Sequence, residues 1–198
     1  MPPLCQTHLR VGDPGEAPSR NRITLDSVMS HGIEGSVGAD VYGQRNLMTL
    51  NVSETAEGKS LIDQVQAMGT PIMILSGGDP LNRKDLEELI RHGKSAGLRM
   101  GTIPAATPNL TRERLASLKE AGVDQIAFSL DFPRADLHDG FRGSPGAFER
   151  TMQGVAWARE AGIPHQINTC VWAGSAPYLA DMAELVERLG VVFWEVFF

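Results

Sequence analysis

Hydrophobic positions along the chain fall into two regimes. Before residue 50 no period of 3.6 or 2 is sustained, and only 22–25 and 47–52 read as weak strands. From residue 54 the pattern becomes regular. Leu61, Ile62, Val65 and Met68 form an apolar stripe at helical spacing, with Ser53 at the N-cap position and Gly69 as its stop. A repeated unit follows. Residues 71–75, 98–103, 123–130, 166–171 and 191–198 are short apolar runs that predict strands. Residues 83–96, 111–121, 147–161 and 177–189 have the periodicity of helices, closed by Gly97, Gly122, Gly162 and Gly190. Thr111 stands at the N-cap position of the second of these.

The strands read as apolar runs rather than alternations, which predicts a parallel sheet buried on both faces. Strands alternating with helices of 10–15 residues make βαβ units, so the fold class is α/β. Periodicity leaves an open doubly wound sheet and a partial barrel as alternatives. In either, ligands bind at the carboxyl ends of the strands. That rule selects residues 76–80, 104–107, 129–131, 168–170 and 195–198.

Composition narrows the picture. A chain of 198 residues with 42% hydrophobic content supports one core. A net charge of -6 and a pI of about 5.4 argue against a nucleic-acid partner, which requires clustered Lys and Arg. No apolar run reaches the roughly 18–20 residues that span a bilayer, so no membrane partner is expected. Met1 to Arg10 lack the basic and apolar regions of a secretory leader. The two cysteines, Cys5 and Cys170, form no disulfide framework, and a cytoplasmic location is the expectation.

Ser76-Gly77-Gly78-Asp79-Pro80 is the most informative segment. Two glycines after a buried strand let backbone N–H and C=O groups approach a ligand, and Asp79 adds a carboxylate that accepts from an ammonium or hydroxyl. A βα turn needing glycine, with Asp79 near the next helix N-terminus, satisfies the same pattern. Ser129 and Asp131, two residues apart at a strand end, suit a ribose diol or a simple strand-ending turn. Asn168 offers an amide to a ligand or to a neighbouring strand, and Cys170 suits a small buried hydrophobe. His138, Asp139 and Arg142 fall in a long polar loop, where Arg142 either clamps a carboxylate or is a solvated charge. The histidines show no metal-ligand spacing, and Met68, Met73, Met100, Met152 and Met182 fall at core phases.

Gly77-Gly78-Asp79-Pro80-Leu81 followed by Arg83-Lys84-Asp85-Leu86 resembles the GG[DE]P-L-x-R-x-D-L segment of radical S-adenosylmethionine enzymes. Residues 115–122, Ser129 to Asp131 and HDGFRGSPGAF at 138–148 are similar to the same family. They lie nearest its peptide- and haem-maturing members with a C-terminal auxiliary-cluster domain. Gln166-Ile167-Asn168-Thr169 and Trp194-Glu195-Val196-Phe197-Phe198 resemble the fifth and sixth strands of that subgroup. The resemblance covers residues 54–198. It implies a core domain over 51–198, after an irregular segment at 1–50, folded as a partial (β/α)6 TIM-like barrel. It also implies S-adenosylmethionine bound beside a [4Fe-4S] cluster. There a reductant partner drives cleavage of the sulfonium, and a 5′-deoxyadenosyl radical takes hydrogen from a peptide or tetrapyrrole. By position, Gly77, Gly78, Asp79 and Pro80 fall at the methionine amino group, and Ser129 and Asp131 at the ribose. Asn168 falls at the ribose or methionine, Val196 at the adenine, and Arg142 at the methionine carboxylate.

The sequence departs from the family at one motif. The family's Cys-x3-Cys-x2-Cys belongs in the region of residues 29–40, MSHGIEGSVGAD, which has no cysteine. Three thiolates hold three irons of such a cluster and leave the fourth for S-adenosylmethionine. The expectation is therefore a catalytically incomplete core with a degraded first strand and a truncated C-terminus, its 71–75 edge open unless residues 22–52 cover it. Two other readings stand beside it: an inert module binding S-adenosylmethionine or a nucleoside, and an unrelated metal-independent (β/α) enzyme of aldolase or phosphate-binding type.

Overall fold

The computed structural model describes residues 37–41, 47–48 and 54–198. The expected strand at 22–25, the Ser53 cap and Cys5 lie outside the described residues. Five strands form the expected parallel sheet: β3 (Ile72–Gly77), β4 (Arg99–Thr102), β5 (Gln125–Ser129), β6 (His165–Cys170) and β7 (Phe193–Phe197). They lie side by side in chain order, each parallel to the next. Sequential order with a helix in each crossover is the arrangement of a partial (β/α) barrel rather than a doubly wound sheet, whose strand order reverses.

The helices are α1 (Thr55–Ala67), α2 (Leu86–Ser95), α3 (Arg112–Glu120), α4 (Ala135–Arg142), α5 (Ala147–Glu160) and α6 (Leu179–Leu189). Thr111 caps α3, its hydroxyl accepting from the Arg114 N–H at 3.1 Å. Helix α4 falls in the stretch expected to be a loop. Its eight residues carry Asp136, Asp139, Arg142 and a mid-helix Gly140, which hide a helical period. Asp139 accepts from the backbone N–H groups of Gly146 and Phe148, pinning the turn into α5. Both N–H groups hold its carboxyl below the ordinary carboxylate range, the Phe148 bond acting most strongly.

Register separates the two faces of the sheet. Met73 and Leu75 align with Met100 and Thr102, and Ile126 and Phe128 with His165 and Ile167. These side chains are buried against the helices, and the apolar ones among them join α1 to α6 in one core. The opposite face carries Ile72, Ile74, Gly101, Gln125, Ala127, Gln166, Asn168 and Glu195 by alternation. The expectation of burial on both faces holds in part, since Gly101, Ala127 and Gln166 on this face are buried while the rest are not. Ile72 and Ile74 are half-buried, and Cys170, expected as a buried hydrophobe, is exposed. Among the described residues helices cover one face, and the other is the concave lining of a partial barrel.

Beyond β3 the sheet changes direction. Strand β1 (Val37–Val41) pairs antiparallel with the whole of β3, from Val37 opposite Gly77 to Val41 opposite Met73. Strand β2 (Leu47–Met48), within the expected 47–52, pairs antiparallel with β1. The edge that the sequence left open is covered, and its N–H and C=O groups have partners. Among the described residues no helix is long and apolar enough to cross a membrane.

Candidate functional site

The βα turn after β3 is shaped by its glycines. Gly77 ends the strand at φ 144°, a conformation that L side chains rarely adopt. A Cβ built on Gly78 meets no atom within 4 Å, so the space beside its Cα is open. Pro80 opens a 3-10 turn, Pro80–Asn82, for which Asp79 is the N-cap.

Asp79 is 8% exposed and is held by protein donors. Its Oδ1 accepts from the Leu81 N–H at 3.1 Å and the Ala105 N–H at 3.3 Å, and its Oδ2 from the Thr107 hydroxyl at 2.6 Å. It joins the turn after β3 to the loop after β4. Arg150 braces that loop from the other side, donating from Nε to the Ala106 carbonyl at 2.7 Å.

These turns open on a cavity of about 400 Å³ at the carboxyl ends of β3, β4 and β5. Ser76, Gly77 and Gly78 form one wall, Ser129 and residues 103–107 another, and His138 and Arg142 of α4, Ser144 of the turn after it and Thr151 of α5 close it. Of the residues singled out from sequence, Gly77, Gly78, Ser129 and Arg142 come together there. Asp79 lies behind the wall.

Asp131 also lies behind it. Its side chain has no exposure; Oδ2 accepts from Arg142 Nε at 2.7 Å, and Oδ1 from the Cys170 N–H at 3.0 Å. Its own N–H donates to His138 Nδ1 at 3.2 Å. That bond makes Nδ1 an acceptor, so the 3.6 Å approach of Nδ1 to Asp131 Oδ2 is not an ion pair. Burial pushes the imidazole below its ordinary value; Asp131 draws it back and the Arg142 charge lowers it further. His138 is accordingly neutral at pH 7, with its proton on Nε2, in a ring that lines the cavity. The solvated-loop reading of residues 138–142 is corrected: His138 is 1% exposed and the segment is helical.

Asn168 and Val196 fall outside the cavity wall. Asn168 stands between Ser129 and Glu195 in the register, and its Oδ1 accepts from Gln166 Nε2 at 2.7 Å. Gln166 Nε2 also donates to Glu195 at 3.1 Å, and its Oε1 accepts from Gln125. A chain of amides thus crosses the concave face. Polar residues at alternate positions of β6 (Gln166 and Asn168, with Cys170 following) were the sequence signal for it. Val196 pairs with Thr169 and shares a face with Trp194, which packs on the core, so only its backbone faces the strand ends.

Phe141 and Trp172 stack with centroids 4.5 Å apart, and Arg142 Cζ lies 5.7 Å from the Phe141 centroid. Phe132 meets both rings edge-on.

An iron–sulfur cluster does not fit this donor set. The sequence holds two cysteines, and among the described residues no group of three or more His, Cys, Asp and Glu could hold a metal ion. Gly77 and Gly78 backbone, a serine hydroxyl and an arginine suit instead an amino acid or nucleoside with a carboxylate.

A family model described as the Radical SAM superfamily matches residues 44–189. The chain is 45% identical over 143 residues to an AdoMet-dependent heme synthase of Oleidesulfovibrio alaskensis, covering 72% of this chain and 37% of that protein. It is 32% identical over 137 residues to a PqqA peptide cyclase of Methylocella silvestris, covering 69% and 36%. The chain therefore spans well under half the length of these relatives. Its fold is similar to Streptococcus suis SuiB bound to S-adenosylmethionine, at 15% identity and a TM-score of 0.64, over 75% of this chain and 34% of that one. The chain belongs to the radical SAM superfamily, as a core domain related to its tetrapyrrole- and peptide-modifying enzymes and without an intact cluster-binding motif.

Proposed function

We propose that this chain binds S-adenosylmethionine in the cavity between β3, β5 and α4, as the cofactor-holding core of a protein acting on a tetrapyrrole or a peptide. One observation carries the reading. Gly77 and Gly78, Ser129 and Arg142 come from three separate elements and line one cavity of about 400 Å³. Carbonyls of the segment Gly77 to Pro80 accept from the methionine ammonium, and Asp79 sets their geometry by clamping the turn. Ser129 donates to the ribose. Arg142 takes the methionine carboxylate. Asn168 serves the ribose or the methionine from the far side of Ser129, and the backbone at Val196 borders the adenine.

The heme synthase similarity, at 45% identity, favours a tetrapyrrole over a peptide, which rests on 32%. Without three thiolates no sulfonium cleavage is derived for these residues. Neutral His138 and the charge on Arg142 are suited to holding the ligand's carboxylate, not to delivering an electron.

Titration calorimetry with S-adenosylmethionine, together with iron counting after anaerobic reconstitution, tests the reading. The expected result is one saturable site and no stoichiometric iron. Absence of binding overturns the ligand, and four irons retained per chain overturn the incomplete cluster site.

A further inference from the structure

Asp131 stands two residues beyond Ser129 at the mouth of the cavity, yet its carboxylate has no exposure. It binds three elements together. Oδ2 accepts from Arg142 on α4 at 2.7 Å, Oδ1 from the backbone of Cys170 at the end of β6 at 3.0 Å, and its own N–H holds His138 at 3.2 Å. A buried carboxylate persists only where its oxygens are paired, and here both are.

The consequence lies in the guanidinium. Its five donors share one plane, so fixing Nε fixes the direction of both Nη groups. Arg142 spends only Nε on Asp131. Neither Nη has an acceptor among the described residues, and the side chain is 33% exposed and lines the cavity. Phe141 supports the guanidinium, with Cζ 5.7 Å from its ring centroid. An arginine left without such an anchor would distribute among many rotamers and lose affinity on ordering.

The geometry points to Asp131 as a positioning residue that acts on the ligand through Arg142: it presets the guanidinium to receive a carboxylate and makes no contact with the ribose. This rests on the S-adenosylmethionine reading above and replaces the ribose contact suggested by the strand-end position. It also gives the cavity a selectivity, since a nucleoside without the amino-acid tail gains nothing from the device.

The test compares two ligands on Asp131→Asn, which can still accept from the Cys170 N–H while removing the charge that holds Arg142. S-adenosylmethionine and 5′-methylthioadenosine share adenine and ribose, but only the first has the carboxylate. The expected result is binding of S-adenosylmethionine at least about tenfold weaker, with methylthioadenosine unchanged within about twofold. In addition, Asp131→Asn should add less than about twofold to the loss in Arg142→Lys, because residues acting in series are not additive. Equal losses for both ligands, or additive losses in the double variant, overturn the inference. If the unaltered chain binds neither ligand, the S-adenosylmethionine reading fails, and the positioning role is decided in the ligand-free protein. There the Arg142 Nε–H signal in nuclear magnetic resonance, assigned through Arg142→Lys, should exchange with water at least about tenfold faster in Asp131→Asn. An unchanged rate overturns the role.

Discussion

The two flanks of β3 are built on different plans. On one side β4 and β5 run parallel to it, and their ends supply the backbone and side chains of the cavity. On the other side β1 runs antiparallel, in a region of the sequence that carries no cysteine. In the proposed reading, the parallel flank grips a nucleoside with an amino-acid tail through the lining of that cavity. The antiparallel flank closes a sheet edge. On that reading, holding the ligand and supplying an electron fall to separate pieces of chain.

The parallel flank should be the more fragile under mutation. Asp79→Ala is expected to have the largest effect. It leaves the Thr107 hydroxyl and the Leu81 and Ala105 N–H groups without their shared acceptor. Loss of such a buried carboxylate costs about 2–4 kcal/mol. A lower urea midpoint should accompany weaker S-adenosylmethionine binding, because the turn and the β4 loop come apart together. An unchanged midpoint with weaker binding would make Asp79 a direct ligand contact and break the contrast between the two flanks.

Acid should loosen the same flank next. Burial holds His138 below its ordinary value in the folded chain, so the unfolded chain binds more protons once the pH falls beneath about 6.5. Stability should therefore decline from about pH 6.5 downward and level off below the folded value of the group. Asp139 works in another window. Phe148 and Gly146 hold its carboxyl low, so its contribution is intact above the ordinary carboxylate value of 3.8 and lost only at stronger acid. Urea midpoints measured between about pH 7.5 and pH 5 separate the two. His138→Gln, which still accepts from Asp131 but cannot titrate, should flatten the decline. A slope that persists in that variant assigns the effect elsewhere.

How far the sequence reveals this division depends on which residues bear it. Apart from α4, the strands and helices from 54 onward follow from hydrophobic patterning, since each buries one face against the same core. The cavity's position follows from the strand-end rule, and Gly77, Gly78, Ser129 and Arg142 meet there. Side-chain direction at a strand end has no such signature. Asp79 and Asp131 have the composition of ligand contacts and the geometry of braces, because their partners (Thr107, Arg142, Cys170) lie 28, 11 and 39 residues away. Helix α4 escapes detection because Gly140 and its charges mask a period that only Leu137 and Phe141 mark. Strand β1 has a readable alternation, with Val37, Ala39 and Val41 separated by Gly38 and Asp40, but five residues are too few to stand out.

The smallest effect is expected on the antiparallel flank, and it sharpens the comparison most. Ala39 lies in the middle of β1, opposite Leu75 on β3 and Met48 on β2. Ala39→Pro removes one N–H from a ladder next to the edge of the sheet. A typical backbone hydrogen bond contributes about 0.5–1.5 kcal/mol net, so the urea midpoint should fall only slightly. The cavity is lined by residues of β3, the β4 loop, β5, α4 and α5, none of which Ala39 replaces. S-adenosylmethionine affinity should then stay within about twofold, since sites without shared partners respond independently. If the affinity instead falls along with the midpoint, β1 helps hold Ser76 and Gly77 in place through its pairing with β3. The separation between gripping the ligand and closing the edge would then be one of sequence only, because a strand of reversed direction would be supporting the same mouth.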